Sequence, residues 1–176
     1  PTVDNEITED LTEDQLSRLW TAMDSDENKQ AVNLMKMVLF TGMRRGELFK
    51  LKWENINFDR GFIEIVDPKG KKNQKIPLNS SARALLVSHE RLYPDSPFVF
   101  PGKNGQQRTD IKKPVNRIKE KAGLPKEFRA LHGLRHVYAS MLASSGEVDM
   151  YHLQRLLTHK SFKTTSRYAH LRDDAL

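Results

Sequence analysis

Between Ile56 and Leu78 the apolar rhythm of this 176-residue chain changes, and that change sets its fold class. Ile56–Phe58, FIEIV at 62–66 and QKIPL at 74–78 alternate as half-buried strands do, and DRG and DPKGKKN supply the turns. On both sides of this run the apolar residues recur at helical spacing. The expected fold is therefore α+β and mostly helical, with one small antiparallel sheet of about three strands near its front.

The helices announce themselves by their ends. In LTEDQL, Thr12 is the N-cap, Gln15 its capping-box partner, and Leu11 staples against Leu16. Leu16, Leu19, Trp20 and Met23 continue that helix. A second runs through Ala31, Leu34, Met35, Val38 and Leu39 and stops near Gly42. RRGELFKL reads as a third, short one. After Asn79 follow SARALLVSH, then Ile111–Ala122 closed by Gly123, then LHGLRHVYASML at 131–142, then Val148–Leu157 and a last turn at Thr164–Ala169. Residues 1–10 read as a linker and 11–176 as one domain. The chain opens on Pro1 rather than Met, so it is expected to be part of a longer protein.

Charge is unevenly spread. Residues 1–17 carry six acidic side chains and no Lys or Arg, whereas the whole chain is +6, so the remainder carries +12. A body this basic points to a polyanion, nucleic acid before anionic membrane. Cysteine is absent, which removes disulfide and thiolate chemistry and fits a reducing cytoplasm. No apolar run approaches the ~20 residues needed to span a bilayer.

LHGLRHVYASML poses the chemical question. Leu134, Val137, Tyr138, Met141 and Leu142 form the expected core stripe, while His132, Arg135, His136, Ala139 and Ser140 take the other side. Neighbours that small would leave a His/Arg cluster open to something large and anionic. His132 and His136 have HxxxH metal-ligand spacing, but Arg135 between them opposes a divalent cation. An Arg beside a His suits a phosphoryl group better, because a guanidinium binds two phosphate oxygens at once.

Three further groups could join that site. Arg44 and Glu47, three apart on a short helix after TGM, share a face, and Glu47 could orient Arg44. The turn DPKGKKNQK carries Lys69, Lys71, Lys72 and Lys75. LLTHKSFKTTSRYAHL sets His159 nine residues before Tyr168, a candidate nucleophile in such company.

TGMRRGEL, KGKKNQKIPL, HGLRH, LLTHKS and TTSRYAH, in this order, resemble the catalytic domain of the tyrosine recombinases, the phage-integrase family. The resemblance runs from about Leu11 onward. It implies cleavage and rejoining of double-stranded DNA with no metal, ATP or other cofactor. By that resemblance Tyr168 attacks the scissile phosphate to form a 3′-phosphotyrosine, and Arg44 and Arg135 hold the non-bridging oxygens. Lys69 protonates the leaving 5′-oxygen, His132 assists proton removal from Tyr168, His159 hydrogen-bonds the phosphate, and Glu47 supports. Arg45, Lys71, Lys72, Lys75 and His136 are expected DNA contacts. The family usually has Gly before the late histidine, where this chain has Thr158. The resemblance also implies a helical core-binding domain ahead of this one, absent from residues 1–176. It further implies a monomer that joins a tetrameric synapse on DNA, in a prokaryotic cytoplasm at the nucleoid. A non-cleaving DNA-binding module of the same fold, and a metal-dependent phosphodiesterase built on His132 and His136, are the competing readings.

Overall fold

The computed structural model describes residues 10–66 and 72–145. The helix expected at Val148–Leu157, the turn at Thr164–Ala169 and the hairpin tip with Lys69 and Lys71 lie outside the described residues.

Helix α1 spans Glu13–Asp24, α2 Lys29–Thr41 and α3 Arg45–Lys50. Thr12 and Gln15 form the reciprocal capping box expected from LTEDQL, at 2.9 and 3.1 Å. Strands β1 (Ile56–Asn57), β2 (Phe62–Ile65) and β3 (Gln74–Pro77) make an antiparallel sheet in sequential order. Its register aligns Ile56 with Ile63 and Ile63 with Ile76. All three are buried, so one face of the sheet is sealed by a row of isoleucines. On the other face Lys75 lays its ammonium 4.5 Å over the Phe62 ring. Helices α4 (Ser80–Ser88), α5 (Lys112–Lys121) and α6 (Ala130–Ser145) complete the described order.

α2 is the axle. Ala31, Val32, Leu34, Met35, Met37, Val38 and Leu39 are all buried, an apolar surface on nearly every side that only a central helix can satisfy. It packs against α4, α5 and α6. α5 is also anchored from outside the core. Asp26, buried in the α1–α2 loop, takes two hydrogen bonds from Arg117 of α5 at 2.9 and 3.2 Å. The Arg117 hydrogen bond holds the Asp26 carboxyl below the usual carboxylate range, against the opposing effect of its burial.

The face that α6 buries differs from the expected stripe. Leu134 and Val137 are buried as expected, but Met141 is 53% exposed and Tyr138 and Leu142 are only partly covered. Gly133, Ala139, Ser140 and Ala143 are buried instead. The reason lies in α2, whose own bulky side chains fill the space between the two helices. Small residues on α6 let the backbones close together, so they serve helix packing rather than opening the His/Arg cluster. At Gly133 the fit is absolute: a Cβ there would run into the ring of Phe128, which is itself buried.

His89 closes the end of α4. Its Nε2 is 2.9 Å from the Val99 carbonyl, which can only accept, so that nitrogen carries the proton. Its Nδ1 then accepts from the Asn33 side-chain amide, also at 2.9 Å. The ring lies 4.7 Å from that of Phe100, and burial pushes the imidazole below its ordinary value.

Three outcomes follow from this packing. Gly133→Ala should lower the urea midpoint at unchanged m-value, a loss of about 1–3 kcal/mol typical of overpacking. Gly46→Ala, where a Cβ meets nothing within 4 Å, should instead hold or gain up to about 1 kcal/mol. His89 takes up its proton more readily when unfolded, so its contribution is present above about pH 6.5 and lost as pH falls. Melting temperatures measured from pH 7.5 to 5 should therefore fall more steeply for the wild type than for His89→Gln.

Candidate nucleic-acid interface and active site

The segment Thr41–Leu48 folds as a rigid bracket. Gly42 ends α2 in the left-handed region at φ 70°, with its N–H on the Val38 carbonyl at 2.8 Å. The Thr41 hydroxyl donates back to Met37 at 2.6 Å and accepts the Met43 N–H at 3.2 Å. Arg44 then starts α3, and its N–H donates to Glu47 Oε1 at 2.8 Å. Glu47 Oε2 is buried and stands 3.8 Å from Arg44 Nη1, an ion pair rather than a hydrogen bond. Thus Glu47 holds Arg44 by backbone and charge together.

Arg135 reaches this bracket from α6. Its Nε donates to the Gly42 carbonyl at 2.7 Å. That carbonyl sits at the negative end of the α2 dipole, where a cation is favoured. One turn of α6 away, His132 Nε2 and His136 Nε2 are 3.0 Å apart.

Between these elements lies a cleft of about 470 Å³. Arg44, Arg45 and Gly46 form one wall, Ile111, Lys112, Val115 and Asn116 of α5 another, and Arg129, Ala130, Leu131, His132 and Arg135 the third. Arg44, Arg45, Lys112, Arg129 and Arg135 are permanent cations, and no carboxylate is among the described lining residues. At the rim, the backbone N–H groups of Lys112 and Ile111, then the charges of Lys112 and Arg45, hold the Asp110 carboxyl below its ordinary value. The lining suits an anion with several oxygens.

Of the residues expected from sequence, Arg44, Arg45, His132 and Arg135 share this cleft, and Glu47 stands behind Arg44. His136 is absent from the described lining and contacts His132 instead. Lys72 and Lys75 are exposed at the β3 end of the hairpin, away from the described lining. Lys69, Lys71, His159 and Tyr168 lie outside the described residues. Among those described, no cluster of three His, Cys, Asp or Glu stands ready for a metal, and no helix is long and apolar enough to cross a membrane. Tyr138, the tyrosine of α6 itself, is pushed up to about 12 by burial, which makes its phenol a poor nucleophile.

Sequence reading missed Lys112, Asn116 and Arg129. For Arg129 a signal was available, since Arg129, His132 and Arg135 follow the i, i+3 spacing of one helix face. For Lys112 and Asn116 there was none, because only the docking of α5 beside α3 and α6 brings them in.

The chain is similar to known proteins over most of its length. The chain is 29% identical over 176 residues to the Tyrosine recombinase of Thermosipho africanus, covering 98% of this chain and 61% of that protein. It is 30% identical over 172 residues to Tyrosine recombinase XerA of Pyrococcus furiosus, covering 96% of this chain and 59% of the relative. The chain thus spans about three fifths of the length of these relatives. Among solved structures, XerH site-specific recombinase bound to palindromic difH substrate superposes with a TM-score of 0.76 at 28% identity, covering 93% of this chain and 50% of that one. The catalytic domain of bacteriophage HP1 integrase gives 0.68 at 26% identity, covering 92% and 86%. With the phage integrase family matching residues 9–175 on top of the Arg44–Glu47–Arg135 bracket, this chain belongs to the phage integrase family.

Proposed function

We propose that residues 11–176 are the catalytic domain of a tyrosine recombinase that cuts and rejoins double-stranded DNA. The observation that carries this reading is the convergence of Arg44, Arg135 and His132 on one cleft with Arg45, Lys112 and Arg129. A phosphodiester in that cleft would meet two arginines from neighbouring walls. Glu47 holds Arg44 and the Gly42 carbonyl holds Arg135 by Nε, so both guanidinium groups are fixed in place to serve the non-bridging oxygens. Charge grows on those oxygens in the transition state, and cations fixed before the reaction stabilise it without reorganising.

In this reaction Tyr168 Oη attacks phosphorus and its proton passes to His132. The bond from phosphorus to the 5′-oxygen breaks, and Lys69 delivers a proton to that oxygen. A 3′-phosphotyrosine and a 5′-hydroxyl result. Rejoining runs the same steps backward with the 5′-hydroxyl of another strand. One phosphodiester replaces another, so bond energy is conserved and no nucleotide cofactor is needed. A free tyrosine titrates near ~10, and the surrounding cations favour its phenolate at neutral pH. His159 hydrogen-bonds the phosphate, while Lys71, Lys72 and Lys75 contact DNA beside the cut. In the full-length protein a core-binding domain completes the grip, four copies meet on two duplexes, and the work is done at the nucleoid of a prokaryotic cytoplasm.

A pool of nicked duplexes with randomised sequence, incubated with the full chain and run on denaturing gels, tests the reading. Wild type should yield a covalent protein–DNA adduct, also in EDTA. Tyr168→Phe should yield none while shifting DNA in native gels nearly as well. An adduct that persists in Tyr168→Phe shows that another residue attacks.

Lys69 can be separated from its neighbours by chemistry. A general acid contributes roughly 10²–10⁴ in rate when the leaving oxygen is strongly basic. A 5′-bridging sulfur leaves as a thiolate, closer in basicity to the ~8.5 of a cysteine. Lys69→Ala should cut ordinary DNA slowly and recover on the sulfur-substituted strand. Alanine at Lys71, Lys72 or Lys75 should weaken both substrates alike. Rescue of one of these three, but not of Lys69→Ala, reassigns the acid.

A further inference from the structure

Asn116 is the uncharged amide among the described residues of the cleft, whose other polar side chains are five permanent cations and His132. It is exposed in the second turn of α5, and its side chain makes no hydrogen bond among the described residues. Asparagine is a weak helix former, because its amide competes for nearby backbone groups. The position therefore weakens α5 and gains no contact in return. The start of the helix is unfavourable in a similar way. Lys112 and Lys113 occupy the first turn with no acidic residue among them, and the helix dipole opposes cations at that end. Asp110, just ahead, takes the Lys112 N–H at 2.9 Å, one carboxylate against two lysines. Local choices that weaken a helix along one exposed face mark a face that serves a partner. We infer that Asn116 is a specificity-determining residue: from α5 in the major groove it reads an adenine near the cut, with Lys112 and Lys113 on the flanking phosphates.

This inference rests on the DNA-cleaving role proposed for the cleft. Ile111, Val115, Ile118 and Ala122 are buried, which turns the opposite side of α5 outward. With about 3.6 residues per turn, Asn116 falls between Lys112 and Lys113 around the helix axis, one turn further along. Glu120, a turn beyond Asn116, is exposed and puts a carboxylate on the same side, so the contact with DNA ends before it. A B-form major groove is wide enough for one helix, with phosphates along its walls and base edges on its floor. The lysines thus meet the walls, and the amide between them meets the floor. A phosphate only accepts, so it would use the N–H groups of the amide and leave the oxygen unpaired. In the groove, adenine alone offers an acceptor at N7 beside a donor at N6, the complement of an amide. Guanine presents two acceptors, cytosine a donor, and thymine an acceptor beside a methyl group. Arg44 and Arg135 belong to neighbouring walls of the same cleft, so the base pair that Asn116 reads lies near the phosphate they hold. The cations answer to phosphates, which every sequence carries, and Asn116 adds discrimination between bases.

Two selections with the full chain test this. In one, nicked duplexes randomised around the cut are incubated with wild type and the covalent adducts are sequenced. In the other, the same pool is selected on native gels with Tyr168→Phe, which requires no chemistry. Both should enrich adenine at one position, about tenfold over the other bases. Asn116→Ala, in either background, should lose that enrichment while preferences at other positions stay. The site is exposed and alanine is the better helix former, so the melting temperature of this variant should hold or rise. Asn116→Arg should move the preference at the same position from adenine to guanine, whose O6 and N7 suit a guanidinium. Lys113→Ala should weaken binding to all sequences alike and make the salt dependence shallower by about one counterion. Adenine enrichment that survives Asn116→Ala, a loss spread evenly over all sequences, or an Asn116→Arg variant with no shift toward guanine each overturns the inference. Absence of an enriched adenine from both selections overturns it as well, while adducts formed without one leave the recombinase reading standing. If wild type forms no adduct but the native gels show enrichment that depends on Asn116, the recombinase reading falls and the base reading stands.

Discussion

The hydrogen bond from Arg135 Nε to the Gly42 carbonyl joins two parts of the chain that are 93 residues apart. Its geometry depends on both ends. Gly42 must be left-handed to end α2 and turn its carbonyl outward, a conformation that costs other residues roughly 1–2 kcal/mol. Arg135 must arrive at the correct height along α6, which the close α2–α6 seam determines. The planar guanidinium then has its plane fixed through Nε, so one short contact orients the whole fork. Arg44 lies two residues beyond Gly42 and is held by Glu47, so the two arginines are set relative to each other through a single turn of backbone.

Gathering five permanent cations around one cleft is unfavourable by itself, and the fold spreads that cost. Arg135 faces a helix C-terminus, Arg44 a buried carboxylate, and Lys112 and Arg45 the nearby Asp110. None of these partners lies among the described lining residues. The cleft keeps its positive field while its members are individually restrained. α5 is brought to the cleft by a different device, the buried Asp26 gripped by Arg117 on the far side of the helix.

Much of the architecture was legible because its signals are local. The capping box at Thr12 and Gln15, the glycine stop at Gly42 and the alternation of 56–78 each depend on a few neighbouring residues, and each appears in the fold. The face of α6 was misread because hydrophobicity is an incomplete guide where two helices nearly touch. There the decisive property is size, so Ser140 and Ala143 turned inward and Met141 turned out, while Gly133 gives room to the Phe128 ring. In the candidate site, Arg44, Glu47, His132 and Arg135 were legible from their spacing within short motifs. Lys112 and Asn116 were not, since their place depends on how α5 lies against two other helices. For His136, spacing put it on the His132 face, but only coordinates give the 3.0 Å contact.

The α2–α6 seam has a consequence for how damage to this protein would read. Ala139, Ser140 and Ala143 are not among the described cleft lining, yet the packing of α6 sets the height at which Arg135 meets Gly42 and the place of His132 on the cleft wall. A bulky replacement at Ala139 or Ala143 would push α6 outward by part of an ångström while the rest of the core stayed folded. Errors of that size are enough to degrade a catalytic geometry. A genetic screen for lost activity would therefore mark a line of small residues on the buried face of α6. Mapped without the structure, that line would be mistaken for a second functional surface.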